Sequence, residues 1–371
     1  MRSIICADTL RANLTRREKL FSECKLDVPS SLEQALDPQW LQQALAEISG
    51  GANVVDVKTV DTLETMAAKV RIAVRFSDNT TQHFCLKAFF NPDIARGAGV
   101  TAIREARFYE RIAPHISVRT PRAIAHIDDE KQHAILIMED LIHAGAHFCS
   151  ALEPFTVEMA AQSLDQLARL HAAKHLLDGN DWIPFRLSAI AKNPHFTVEK
   201  LQELMDGPRC AKLSRHTSDA ALLLAGMKAL AARFAKSSTT IMHGDCHAGN
   251  FYLTKQGPGL TDWQLLQRGN CLQDVAYHIA AILPEEVAER EERALLNHYL
   301  DCLRAHGAAA STKNTAPTQE EAWGDYRLAQ LYGFYHWAIT TRVEPEIINI
   351  FMTRLGAGIE RHRTYSLLGL V

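Results

Sequence analysis

The chain has 371 residues, 40 basic against 43 acidic side chains and a formal net charge of -3, with 47% apolar and 22% charged residues. That length holds two domains or one large two-lobed unit, and the balance is that of a globular protein able to bury a sizeable core. The near-neutral charge argues against general nucleic-acid binding, which needs a basic excess to displace counterions, but leaves room for a local basic pocket for a nucleoside triphosphate.

Residues 1–49 read as a helical extension, with amphipathic segments at Arg11–Phe21 and Leu32–Ile48 closed by Gly50-Gly51. From Ala52 the character changes. Val54–Val60, Ala68–Phe76 and His83–Phe89 are rich in β-branched and aromatic residues, and Ser77-Asp78-Asn79-Thr80 between the last two is a hairpin signal. A helix is expected over Thr101–Ile112, closed by Pro114, with Ile103, Ala106, Tyr109 and Ile112 as its buried stripe. Two more strands, Arg122–Ile127 and His133–Met138, flank the polar turn 128–132. Residues 50–140 are thus expected to form a small α+β unit, with strands, one helix and then strands. Residues 141–371 read as mainly helical, over Phe155–His175, Ala220–Ala235, Val275–Ile282, Ala288–His306, Gln319–Thr341 and Pro345–His362, with a loop at 307–318.

One β-rich stretch, Ile241–Gln264, interrupts these helices. It contains His243-Gly244-Asp245-Cys246-His247-Ala248-Gly249-Asn250, then a short hairpin, then Asp262-Trp263 twelve residues after the asparagine. Phosphoryl transfer supplies a reason for each part. An aspartate (Asp245) must orient an acceptor hydroxyl and take its proton. An amide oxygen (Asn250) and a carboxylate (Asp262) are hard ligands suited to Mg²⁺ on triphosphate oxygens. His243, Cys246 and His247 also offer soft zinc ligands, but a fourth is not evident.

With these motifs the sequence resembles the kinase-like phosphotransferases that include aminoglycoside phosphotransferases, choline kinases and ecdysteroid-kinase-like enzymes, most closely the last, over roughly residues 50–340. The resemblance implies an α+β, two-lobed protein-kinase-like fold, with residues 50–140 as a five-stranded antiparallel sheet with one helix, residues 141–371 as a mainly helical lobe, and MgATP between the lobes. It implies that Lys87, mid-strand among apolar neighbours and expensive to bury unpaired, holds the α/β-phosphates and pairs with Glu105 on the following helix. It puts the adenine-binding hinge at Ile137–Leu141, where the backbone around Glu139 and Leu141 makes the contacts. His243 becomes a loop-bracing residue and Asp274, otherwise readable as a helix N-cap, a brace for the catalytic segment. No glycine lies between Val54 and Val70, so only backbone N–H groups or the hydroxyls of Thr62 and Thr65 are offered as a phosphate loop. Gly244 in place of arginine, Asp262-Trp263-Gln264 in place of D-F-G and the lack of A-P-E weaken a protein Ser/Thr kinase reading.

The expected activity is transfer of the γ-phosphate of ATP, with Mg²⁺, to a hydroxyl of a small molecule. The C-terminal half has no acidic tail, which favours a neutral or apolar acceptor over an aminoglycoside. The aromatic run Trp323, Tyr326, Tyr332, Phe334, Tyr335, His336 and Trp337 reads first as helix core, and second as a pocket wall that would also suit a choline-like acceptor. A nucleotide-binding scaffold without catalysis is the rival from another class. Eight scattered cysteines without a C-x-x-C pair, no stretch near the ~18 apolar residues of a membrane helix and a start unlike a secretory leader point to a soluble cytoplasmic protein without a membrane partner.

Overall fold

A computed structural model describes residues 26–64, 67–309 and 316–371. The expected helix at Arg11–Phe21, the Thr65 hydroxyl and residues 310–315 of the expected loop lie outside the described residues. The chain divides into two compact units. One holds the described residues up to Ala106 together with Ala123–Glu139; the other holds Arg107–Arg122 and the described residues from Asp140 to Val371.

The first unit begins with α1 (Leu32–Ala35) and α2 (Pro38–Ala44) where one helix over Leu32–Ile48 was expected. Pro38 has no N–H to donate back and its ring blocks the preceding turn, so the helix restarts there, capped by Asp37 Oδ1 on the N–H groups of Gln39 and Trp40. Strands β1 (Val54–Glu64), β2 (Ala68–Phe76) and β3 (Thr81–Ala88) follow, then α3 (Pro92–Arg107), β4 (Ala123–Asp128) and β5 (His133–Glu139). The strands form one sheet in the order β1-β2-β3-β5-β4, every pair antiparallel. Because side chains alternate along a strand, Val70, Ile72 and Val74 of β2 and Phe84 and Leu86 of β3 share one face. Leu41, Ala44 and Leu45 from the α2 region join them in a single apolar core. The opposite face carries Lys69 and Arg71 of β2 and Cys85 and Lys87 of β3. Helix α3 starts nine residues earlier than the expected Thr101, since Gly97 and Gly99 masked its helical pattern, and ends at Arg107, where a wider turn over Phe108–Ile112 takes over.

In the second unit β6 (His147–Phe148) precedes α4 (Val157–Ala172), α5 (Leu187–Ile190), α6 (Val198–Met205) and α7 (Ala220–Phe234). Then come β7 (Thr240–Met242), β8 (Phe251–Thr254), β9 (Gly257–Leu260) and β10 (Gln267–Gly269). Helices α8 (Leu272–Ile282), α9 (Glu285–Ala309), α10 (Gln319–Ala338), α11 (Pro345–His362) and α12 (Thr364–Leu367) complete it. β7 pairs with β10, and β8 lies between β6 and β9. These two short ladders frame the His243–Asn250 loop. Helix α8 is buried over its whole length, which explains its near-continuous apolar sequence. No described helix is long and apolar enough to cross a membrane.

Candidate active site

In the first unit, Lys87 lies in β3 and Glu105 in α3, and both are buried. Lys87 Nζ is 2.7 Å from Glu105 Oε2 and 2.9 Å from Oε1. A buried ammonium is tolerated only when its charge is met this closely, and here both carboxylate oxygens meet it. Glu139 is the last residue of β5, opposite Phe84. In the second unit Leu141 is buried, its carbonyl accepts from the Ala146 N–H at 2.9 Å, and its own N–H has no partner among the described residues.

The catalytic-loop candidate in the second unit is built on β7. Its entry is fixed by Gly244, whose φ of +83° suits glycine and whose added Cβ would stand 2.4 Å from the Leu265 carbonyl oxygen. Tyr332 of α10 donates its hydroxyl to the Gly244 carbonyl at 2.9 Å. Asp274 accepts the main-chain N–H groups of His243 (2.7 Å) and Gly244 (3.0 Å), and His171 approaches it at 3.2 Å. Asp274 is therefore not an N-cap: the cap position of α8 is Cys271, and Asp274 lies three residues inside, fully buried, turned toward the loop.

Asp245 keeps 24% of its side chain exposed. Its two oxygens are held from different elements. Tyr277 of α8 donates to Oδ1 at 3.1 Å, and Asn250 Nδ2 donates to Oδ2 at 3.1 Å and to the Asp245 main-chain oxygen at 2.8 Å. His247 Nδ1 accepts the Gly249 N–H at 3.1 Å, which leaves the ring proton on Nε2, 3.5 Å from Asp245 Oδ2. Burial pushes the Asp245 carboxyl up, but His247 and the other histidines that face it, His336 and His243, outweigh this and hold it below the usual carboxylate range. Tyr277 is pushed far the other way, by burial and then by the Asp245 charge, so its hydroxyl stays protonated as a donor. Trp337 Nε1 donates to Tyr277 Oη at 2.6 Å, and this orients the tyrosine proton toward Asp245.

Asn250 spends its amide nitrogen on Asp245, which leaves Oδ1 without a donor among the described residues. The β8–β9 hairpin returns the chain so that the Thr261 N–H donates to the Asn250 carbonyl at 3.0 Å, and Asp262 is the next residue. Asp262 has φ +66°, a left-handed conformation costing about 1–3 kcal/mol in a residue with a Cβ. The fixed neighbour that holds it is Trp263, buried, stacked on Phe108 at 3.7 Å and bonded through Nε1 to Thr120 Oγ1 at 3.0 Å.

The loop histidines point apart. His243 accepts the Asp245 N–H on Nδ1 and donates from Nε2 to the Thr261 carbonyl, 3.0 Å away, while His247 turns to Gly249 and Asp245. In the aromatic run Tyr326, Tyr332, Phe334, Tyr335 and Trp337 are buried in the core and His336 is half-buried. Tyr277 and Trp337 had no assigned role near Asp245. The available signal was the three-residue step from Asp274 to Tyr277, which puts both on one face of α8.

Residues 73–310, well over half of the chain, match the phosphotransferase enzyme family (APH). Among solved structures, the Plasmodium vivax ethanolamine kinase is 12% identical, with 94% of each chain covered and a TM-score of 0.50. Choline kinase LicA from Streptococcus pneumoniae is 14% identical over 87% of this chain and 99% of its own, at 0.47. The macrolide 2'-phosphotransferase MphH from Brachybacterium faecium is 14% identical over 82% and 92%, at 0.42. No curated protein matches the chain. The likeness to the ethanolamine kinase is one of fold, an antiparallel sheet unit followed by a mainly helical one. By the match over residues 73–310, the chain belongs to the phosphotransferase enzyme family.

Proposed function

We propose that the protein is an ATP-dependent kinase that transfers the γ-phosphate to a hydroxyl group of a small neutral or apolar molecule. The observation that carries this reading is the Asp245 carboxylate, ionised, partly exposed and held on both oxygens by Tyr277 and Asn250. In the proposed reaction Asp245 orients the acceptor hydroxyl and takes its proton as the oxygen attacks phosphorus. ADP leaves with the electron pair of the broken phosphoanhydride bond. Lys87, with its charge balanced by Glu105, contacts the phosphates, and the backbone near Glu139 and Leu141 binds the adenine. The unclaimed Asn250 Oδ1 and the Asp262 carboxylate are hard oxygen donors that fit Mg²⁺. When bound there, the ion would neutralise charge on the phosphate oxygens.

The proposed acceptor class is supported by what faces Asp245. Those groups are the imidazoles of His247, His336 and His243, the Tyr277 hydroxyl and the Asn250 amide, and the His247 ring packs on Trp337 (5.2 Å) and Phe351 (5.5 Å). This suits an uncharged alcohol better than a polycation, which would need carboxylates. ADP release from MgATP, measured over steroids, aminoglycosides, macrolides, choline and sugars, tests the proposal. Asp245→Asn is expected to reduce turnover about 10²- to 10⁴-fold. A variant that turns over at the wild-type rate would sink the assignment of Asp245.

A further inference from the structure

Lys69 occupies an unusual position. In the β2–β3 ladder it lies directly opposite Lys87, so the two side chains leave the sheet on the same face. Directly paired residues of an antiparallel ladder have Cβ atoms about 4.5–5.5 Å apart, and like charges there repel. The charge of Lys87 is met by Glu105. Lys69, half-buried, makes no hydrogen bond or ion pair among the described residues. Its neighbours on that face do not compensate it: Leu63 pairs with it from β1, and Arg71 lies two residues along β2, 3.7 Å from Asp61. A half-buried cation set against a second lysine costs stability in the unliganded protein unless an anion joins the two.

The same stretch of chain lacks the usual alternative. No glycine occurs from Val54 through Val70, so this part of the sequence lacks the glycine-rich run that commonly cradles phosphate. Lys69 is the second residue of β2, beside the β1–β2 connection. We propose that Lys69 is a phosphate-binding residue that acts with Lys87, the two ammonium groups gripping the polyphosphate of the nucleotide in place of a glycine-rich loop. The inference rests on the nucleotide-binding reading of Lys87 and extends it to a residue outside the family motifs.

Calorimetric titration of the full-length protein with MgATP, MgADP and adenosine, on wild type, Lys69→Met, Lys69→Arg and Lys87→Met, provides the test. Loss of one charge-assisted contact is expected to weaken MgATP and MgADP about tenfold in Lys69→Met while adenosine changes by less than about twofold. Lys69→Arg keeps the cation and should restore most of the affinity. The unliganded Lys69→Met protein should melt no lower than wild type, because a repulsion has been removed. A lysine that serves only the fold would instead lower the melting temperature and weaken all three ligands alike, which overturns the proposal. MgATP affinity unchanged in Lys69→Met but lost in Lys87→Met also overturns it and leaves the nucleotide reading standing. Wild-type protein that binds none of the three removes both.

Discussion

At the scale of single residues, the orientation of Asp245 is determined by donors it cannot recruit from its own loop alone. Asn250, five residues on, holds Oδ2, while Oδ1 is held by a tyrosine 32 residues away. A carboxylate with one oxygen free to swing would present its lone pairs to an acceptor only part of the time. Tyr277→Phe removes the hydroxyl and keeps the ring, and a misaligned reacting group costs about 10- to 100-fold in rate. Steady-state kinetics of the Tyr277→Phe enzyme should therefore show that fall in kcat with KM for MgATP unchanged. A loss confined to KM would mean that the tyrosine serves binding and not alignment of Asp245.

At the scale of elements, helix α8 does the positioning. Asp274 braces the loop backbone, Tyr277 holds the carboxylate, and His278 Nδ1 donates to the Cys246 carbonyl at 2.9 Å. Positions three and four apart share a helix face, so one buried helix serves three points of the same loop. Tyr277 can lie flat against α10 only because position 333 is glycine: an added Cβ would stand 2.4 Å from the tyrosine ring. Gly333→Ala should destabilise by about 1–3 kcal/mol, as overpacking of a filled core does. Chemical denaturation measures this, and a midpoint equal to that of wild type would show that α8 and α10 can separate freely.

At the scale of the whole molecule, stability should depend on acid in a definite direction. Burial depresses the His278 pKa from 6.5 to about 4, so the folded protein disfavours a proton that the unfolded chain accepts. Its contribution is complete above pH 6.5 and is lost progressively as the pH falls from 6.5 toward about 4. Glu292 adds to the loss at lower pH. Burial raises its pKa, but Arg361 Nη2 at 2.8 Å and His362 Nε2 at 3.1 Å outweigh that and hold it below 4.5. The melting temperature is expected to fall between pH 6.5 and 4, with a shallower slope in His278→Phe; equal slopes would rule out this histidine as the source.

Local chemistry wrote much of the architecture into the sequence. The edges of β2 and of the α11 helix follow from alternation and from Pro345 at a helix start, and the H-G-D motif could be read because its parts lie within a loop and one hairpin. The break at Pro38 overrode an amphipathic pattern, because proline has no N–H to donate and its ring blocks the preceding turn, and Gly97 and Gly99 concealed the first turns of α3, because glycine's low helix propensity is only a weak guide to the folded state. Periodicity along one segment says which side chains face inward but not which distant group each one meets. The sequence by itself therefore determined the sheet-then-helices order, the family and the Asp245–Asn250–Asp262 string. Only the tertiary structure decided that Tyr277 and Trp337 stand behind Asp245, that Asp274 is a brace and not a cap, and that Lys69 faces Lys87. Those pairings depend on strand register and helix packing between residues far apart in the chain, and both are chosen by how the buried faces fit together.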